Sequence, residues 1–364
     1  MKAHPESTTA ISSSFDFLCA PLCPLWLRLL RTAFAMLTLV ATLACNKPST
    51  AAPTEPSGPS KTSAATTASA PATESELAEA TARAAAPDPT RLPHIDTKRA
   101  FELTREVAAF GPRPMGTDNH KKLERFIEDH LKGDQVEDDA FTADTVEGKF
   151  PVHNITAKFP GKKDGIIAIL GHYDTNYPLR NTGYVGANDG GSSSAILLEY
   201  ANQLRGKTRD GYSVWLVWTD GEEAVREWTE TDSLYGTRHL AEKWEKDGTL
   251  KKIKALIVMD MIADADLNID RNLNGTPWLM DLIYEAAVRG GNQSHFYARQ
   301  GPIEDDHLPF LKRGVPCADV IDLDYGYNNV FHHTPQDTMD KLSPKSLEIV
   351  GDTVLEAIHL IDQR

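Results

Sequence analysis

The chain has 364 residues and a formal charge of −14, with 38 Lys and Arg set against 52 Asp and Glu. Without an excess of cations to neutralise phosphates, nucleic acid and anionic membrane surfaces are poor main partners, and a small or peptide-like ligand remains open. Three of the cysteines, Cys19, Cys23 and Cys45, precede the foldable region and only Cys317 lies within it. No disulfide framework can form there, and Cys317 reads as a small buried hydrophobe.

In chain order, residues 24–44 (PLWLRLLRTAFAMLTLVATLA) set Arg28 and Arg31 ahead of a short apolar core. The core, about 12 residues long, is too short to span a bilayer comfortably and has the shape of a signal peptide. It ends at Leu43-Ala44-Cys45, a pattern that fits lipoprotein processing with a lipid anchor at Cys45, although Thr42 stands where such signals usually carry Leu. Residues 1–45 are therefore expected to direct export to a bacterial periplasm or cell envelope, lipid-anchored or secreted. Residues 46–95 are mostly Ala, Pro, Ser and Thr, which cannot bury enough apolar surface to offset chain entropy, so a disordered tether is expected.

The folded domain is expected over 96–364. In DTKRAFELTREVAAFG, Asp96 caps a helix with Ala100, Leu103, Val107 and Phe110 on one face and Gly111 closing it. Alternating segments near 136–146 and 151–159 predict antiparallel edge strands. Four continuous apolar runs predict strands buried on both faces: 165–175, 212–223, 253–263 and 317–325. Between them, 190–206, 233–248 and 276–291 read as helices ending on glycine, the second with Ser233 as its cap. Trp215 and Trp218 read as core. The implied fold class is α/β, a three-layer α/β/α sandwich with a mixed, centrally parallel sheet.

The ionisable residues collect just past the carboxyl ends of these strands, where open α/β sheets bind ligands. They are His172 and Asp174, then Asp189 in GANDGG, then Asp220, Glu222 and Glu223, then Asp260, then His332 and His333. Carboxylate and imidazole suit a zinc site that keeps an open coordination position, and a divalent cation would relieve the repulsion between adjacent Glu222 and Glu223. Each residue also has a plain structural role open to it: Asp189 as a helix cap, His172 as a core histidine, the glutamate pair as a solvated turn. At a strand end successive side chains diverge, so Glu223 can face a metal while Glu222 stays free to carry a proton.

The stretch DGEEAVREWTETDSLYGTRHLAEKW (220–244), with GHYDT, GANDGG, IEDDHLPFLKRGVPCADVI (303–321) and HTPQDTMDKL (333–342), resembles the glutaminyl cyclases within the zinc aminopeptidase-type fold. The resemblance runs over about 98–362 and marks 96–364 as a zinc-dependent catalytic domain. It implies Asp189, Glu223 and His333 as ligands of one Zn2+, Glu222 as general base and acid, Asp260 as its hydrogen-bonded partner, Asp305 as a further member of that network, and Trp228 as a substrate-pocket wall. The implied substrates are peptide or protein N-termini. Departures from the animal enzymes are His332 in place of a Trp before the ligand histidine, Asp319 in place of a His, and a missing cysteine pair near the first strand.

The aminopeptidase branch of the same fold has a dinuclear arrangement, which would use His172 and Asp260 for a second zinc, Asp189 as the bridge, and Glu222 to activate water. All five ligand types are present, so the inventory alone does not separate the two chemistries. The pattern fixes no oligomeric state.

Overall fold

The computed structural model describes residues 92–364. The expected export segment, Cys45 and the tether up to residue 91 lie outside the described residues. Helix α1 (Thr97–Ala108) starts as expected: the Asp96 carboxylate accepts the Arg99 N–H, and Ala100, Leu103 and Val107 are buried. Ile95 is already buried just ahead of it, its N–H donating to Asp352 Oδ1 at 2.8 Å. A second helix, α2 (Asp118–His130), is capped by Thr117.

The strands β1 (Gln135–Thr145), β2 (Gly148–Phe159), β3 (Gly161–His172), β4 (Arg209–Thr219) and β5 (Ile253–Asp260) are joined by β8 (Cys317–Ile321) in one six-stranded sheet of order β1-β2-β4-β3-β5-β8. β1 and β2 pair antiparallel, as does β2 with β4, whereas β4, β3, β5 and β8 are mutually parallel. A small parallel pair, β6 (Ile269–Asn272) and β7 (Phe296–Gly301), forms a separate sheet that the sequence pattern did not disclose.

Side-chain alternation divides the core between the two faces of the large sheet. Ile167 and Ile169 of β3 pack in one apolar cluster, with α1, α2, α3 (Gly191–Leu204), α5 (Pro277–Arg289) and α7 (Pro344–Asp362). Ile166, Ala168 and Leu170 pack in the other, with Leu240 and Trp244 of α4 (Tyr235–Lys246) and Phe310 of the short α6 (Leu308–Leu311). This burial on both faces explains why the central strands read as unbroken apolar runs. Trp218 and Cys317 are core residues as expected, and Trp215 packs edge-on against Trp244 while Lys158 lies over its ring.

Two plain structural roles considered for site-flanking residues are not taken. Ser233 does not cap α4; its hydroxyl donates to the Thr229 carbonyl, and the helix opens instead from Leu234 in a left-handed conformation. Asp189 does not cap α3, because the cap position is Gly190.

The loop that carries Asp189 is tied down by Arg113, wholly buried after α1. Its guanidinium donates to the carbonyls of Tyr173 (2.8 Å), Gly186 (2.8 Å), Asp189 (3.3 Å) and Val185. Arg113→Met keeps much of the volume but strands these buried acceptors. Leaving them unsatisfied is expected to cost roughly 3 kcal/mol, read as a fall in the denaturant midpoint at constant m-value. An unchanged midpoint would show that the loop holds itself.

Candidate functional site

Because β3, β4, β5 and β8 run parallel, their carboxyl ends meet at one edge, and the loops after them bring the predicted polar residues together. β3 delivers His172 and, two residues on, Asp174. The Asp174 carboxylate accepts the backbone N–H groups of Glu222 (3.2 Å) and Glu223 (3.4 Å), and its Oδ1 lies 3.5 Å from His172 Nδ1. One buried acid thus orients both the imidazole and the loop after β4. Gly190 allows the close approach of the Asp189 loop: its φ is +72°, and a Cβ there would meet Asp174 O at 2.8 Å and His172 Cε1 at 2.9 Å.

Asp189 is the centre of the arrangement. Its Oδ1 lies 3.0 Å from His172 Nε2, and its Oδ2 lies 3.3 Å from His333 Nε2. His172 Nε2 also meets Asp260 Oδ1 at 3.1 Å, and His333 Nε2 meets Glu223 Oε1 at 3.1 Å. Each ring nitrogen therefore faces two carboxylates while carrying at most one proton, so hydrogen bonding alone cannot satisfy either group fully. Sets of donor atoms converging this closely are those a divalent cation takes up, and two such sets share Asp189: His172 with Asp260, and His332 with His333, the latter bonded to Glu223. The outer atoms are held as well: Asn176 Nδ2 donates to Glu223 Oε2 at 2.8 Å, Tyr184 Oη donates to Asp189 Oδ2, and Asp337 accepts the N–H groups of Asn188 and Asp189. His333 sits at φ +52°, a left-handed backbone that an imidazole rarely adopts and that marks a position fixed by its surroundings.

Glu222 lies beside this set, its Oε2 3.9 Å from His172 Nδ1. Burial, opposed by His172 but reinforced by the charges of Glu223, Asp305 and Asp306, pushes its carboxyl well above the usual range. The imidazoles respond oppositely. Burial disfavours their charge, but Asp260, Asp174 and Asp189 raise His172 well above its usual value, and Glu223 with Asp189 brings His333 to about 11.

Asp260 departs from its expected place. Among the described residues its carboxylate is bonded to His172 and to the Met261 N–H, and no hydrogen bond joins it to Glu222. The adjacent acids Asp305 and Asp306 separate cleanly. Asp306 turns inward to accept the hydroxyls of Thr219 (2.5 Å) and Thr237 (2.7 Å), while Asp305 faces the site. Behind Asp305 is buried Asp319, held by Asn272 Nδ2 at 3.1 Å. Burial raises both carboxyls, reinforced for Asp305 by the charges of Asp319 and Asp260 and for Asp319, at about 8, by that of Asp260. His307 is buried beside Asn272 and contributes nothing to the converging donors.

Asp189, Glu222, Glu223, Asp260, Asp305 and His333 line a cavity of about 400 Å³, with Trp228 and Ile303 among its apolar walls. His332 lines it too, with Nε2 3.9 Å from Asp189 Oδ2 and Nδ1 held by Asn329 Nδ2 at 3.0 Å. Its contact with the metal-type donors is not evident from the sequence, although the His-His doublet is a visible sign. Tyr184 and Asn176 have no such sign, since they lie in an aperiodic loop.

Residues 154–358 match the model of peptidase family M28. The solved glutaminyl cyclase of an Acidobacteriales bacterium is 50% identical, with a TM-score of 0.74 over 77% of this chain and 99% of that one. The glutaminyl-peptide cyclotransferase of Drosophila melanogaster is 30% identical over 62% of this chain and 70% of its own length. A Zn-dependent exopeptidase from Parabacteroides distasonis is 25% identical, with a TM-score of 0.67 over 75% of this chain and all of its own.

The converging donors carry a direct test. After chelator treatment, restoring a divalent cation at a hundredfold excess over its Kd should raise Tm by about 5 °C or more. His333→Ala should abolish most of that gain. An equal gain in the variant would place the cation elsewhere.

Proposed function

Since this chain belongs to peptidase family M28, we propose that it is a zinc-dependent glutaminyl-peptide cyclotransferase, converting the N-terminal glutamine of peptides to pyroglutamate with release of ammonia. The observation that carries this reading is the 50% identity to the Acidobacteriales glutaminyl cyclase across 99% of that enzyme. Asp189, Glu223 and His333 would hold the catalytic ion. When bound, zinc supplies a Lewis acid that polarises the side-chain amide carbonyl and stabilises charge developing on its oxygen.

The chain's own residues supply the rest. Glu222 stands outside that ligand set, and burial, which raises its carboxyl well above the usual range, makes it a stronger base for proton exchange. As the α-amine nitrogen bonds to the side-chain carbonyl carbon, Glu222 takes a proton from that nitrogen. It then gives the proton to the amide nitrogen as the old C–N bond breaks and ammonia leaves. The nucleophile belongs to the substrate, so no Ser or Cys is required. Burial raises the carboxyls of Asp305 and Asp319, which lessens the negative charge near Glu222, and Trp228 gives the substrate an apolar wall. The segment led by Arg28 and Arg31, with Cys45, supports an exported enzyme tethered to the cell envelope.

A second reading, a dinuclear aminopeptidase, is favoured by one specific observation: Asp189 presents one oxygen to His172 and the other to His333, as a bridging carboxylate would. In that reading His172 and Asp260 hold a second ion and Glu222 takes its proton from water.

Mass spectrometry on Gln-Xaa peptides separates the two. Cyclisation removes one ammonia and liberates no amino acid, whereas hydrolysis liberates the first residue. Glu222→Gln should lower kcat by about 10²- to 10⁴-fold with zinc content retained. Release of free glutamine together with two zinc ions per chain would establish the aminopeptidase instead.

A further inference from the structure

A second cavity, about 710 Å³, lies against the catalytic one. Phe141 of β1, Tyr235 and Arg238 of α4, and Pro309 and Lys312 near α6 line it, and it shares Trp228 and Glu304 with the catalytic cavity. At about 400 Å³ the catalytic cavity is at the small end for a ligand site, enough for one terminal residue and little of the chain beyond it. The remainder of a peptide whose first residue occupies that site must leave across its rim. The shared wall of Trp228 and Glu304 opens directly into the larger groove.

The charged groups lining this groove are nearly all engaged. Lys312 pairs with Glu230 at 3.2 Å, Arg313 with Glu245 at 3.1 Å, and Asp144 and Glu242 pair with Lys149 and Lys246. His239 Nε2 lies 3.5 Å from Asp139, and Arg238 donates to the carbonyls of Leu234, Glu230 and Thr231. Glu304 is different: it is exposed at the seam of the two cavities, with no ion pair and no side-chain hydrogen bond among the described residues.

We propose that the groove receives the polypeptide after the N-terminal glutamine, and that Glu304 selects a cationic side chain, Lys or Arg, at the residue immediately after it. This rests on the cyclase reading above. The seam is where the first residue's cavity ends, so the next side chain meets Glu304 before any other unpaired charge. The chain's net charge of −14 adds a longer-range attraction of the same sign. A solvent-exposed charge pair of this kind gives a modest preference, about threefold at low ionic strength, that weakens with salt.

The test uses the full, zinc-loaded enzyme and three pentapeptides that begin Gln-Lys, Gln-Ala and Gln-Glu and are otherwise identical. For the unaltered chain, kcat/KM should rank Lys above Ala above Glu by about threefold at each step. The difference should sit in KM and flatten at high salt. Glu304→Gln should compress the ranking and Glu304→Lys should invert it. A Gln-Ala dipeptide amide should show a higher KM than the Gln-Ala pentapeptide. Cyclisation of all three peptides with the same ranking in Glu304→Gln, or with no length effect, overturns this inference and leaves the cyclase reading standing. If no peptide of the series loses ammonia, both fall together.

Discussion

Ten acidic side chains are buried around one sheet edge: Asp174, Asp189, Asp220, Glu222, Glu223, Asp260, Asp305, Asp306, Asp319 and Asp337. So much like charge in a low-dielectric interior is tolerated only if each group is neutralised, hydrogen-bonded or protonated. The fold answers in all three ways. His120 partners Asp220 at 2.7 Å, and the Nε2 atoms of His172 and His333 each stand between two carboxylates. Backbone N–H groups serve Asp174 and Asp337. Burial shifts the carboxyls of Asp305 and Asp319 toward their neutral form. The demand that remains falls on Asp189, Glu223 and Asp260, where a divalent cation would complete the compensation.

The sheet makes this crowding workable. Four parallel strands end at one edge, and the first layer of polar residues is held by a second layer drawn from different loops: Asp174 behind Glu222 and Glu223, Asn176 behind Glu223, Tyr184 and Asp337 around Asp189. Arg113 adds a further tie by gripping the carbonyls of the Asp189 loop. None of these supports touches the cavity's contents directly, yet together they fix which face of each carboxylate is presented. Preorganisation of this sort separates a reactive cluster from a merely acidic one.

Much of this is legible in the sequence because the signals are strong physical ones. Unbroken apolar runs announce strands covered on both faces, an Asp96-capped periodic segment announces α1, segments ending on glycine announce α3 and α5, and the position of acids and imidazoles past strand ends announces the site. Geometry across loops is not legible in the same way. Nothing in GANDGG reveals that Gly190 rather than Asp189 occupies the cap, because the choice depends on the close approach of His172. The hydrogen-bonding role first implied for Asp260, as partner of Glu222, gives way to the pairing with His172 that the dinuclear alternative implied, through the register of β3 and β5. The pair β6 and β7 is short and irregular, too weak a pattern to separate from loop.

Asp174 touches no substrate cavity, yet its two oxygens hold the backbone at both Glu222 and Glu223. On the proposed reading, cation retention and proton exchange would thereby be ganged to a single carboxylate. A substitution at that position would then disturb both faculties at once, whereas changes at the cavity walls could alter what enters without touching either.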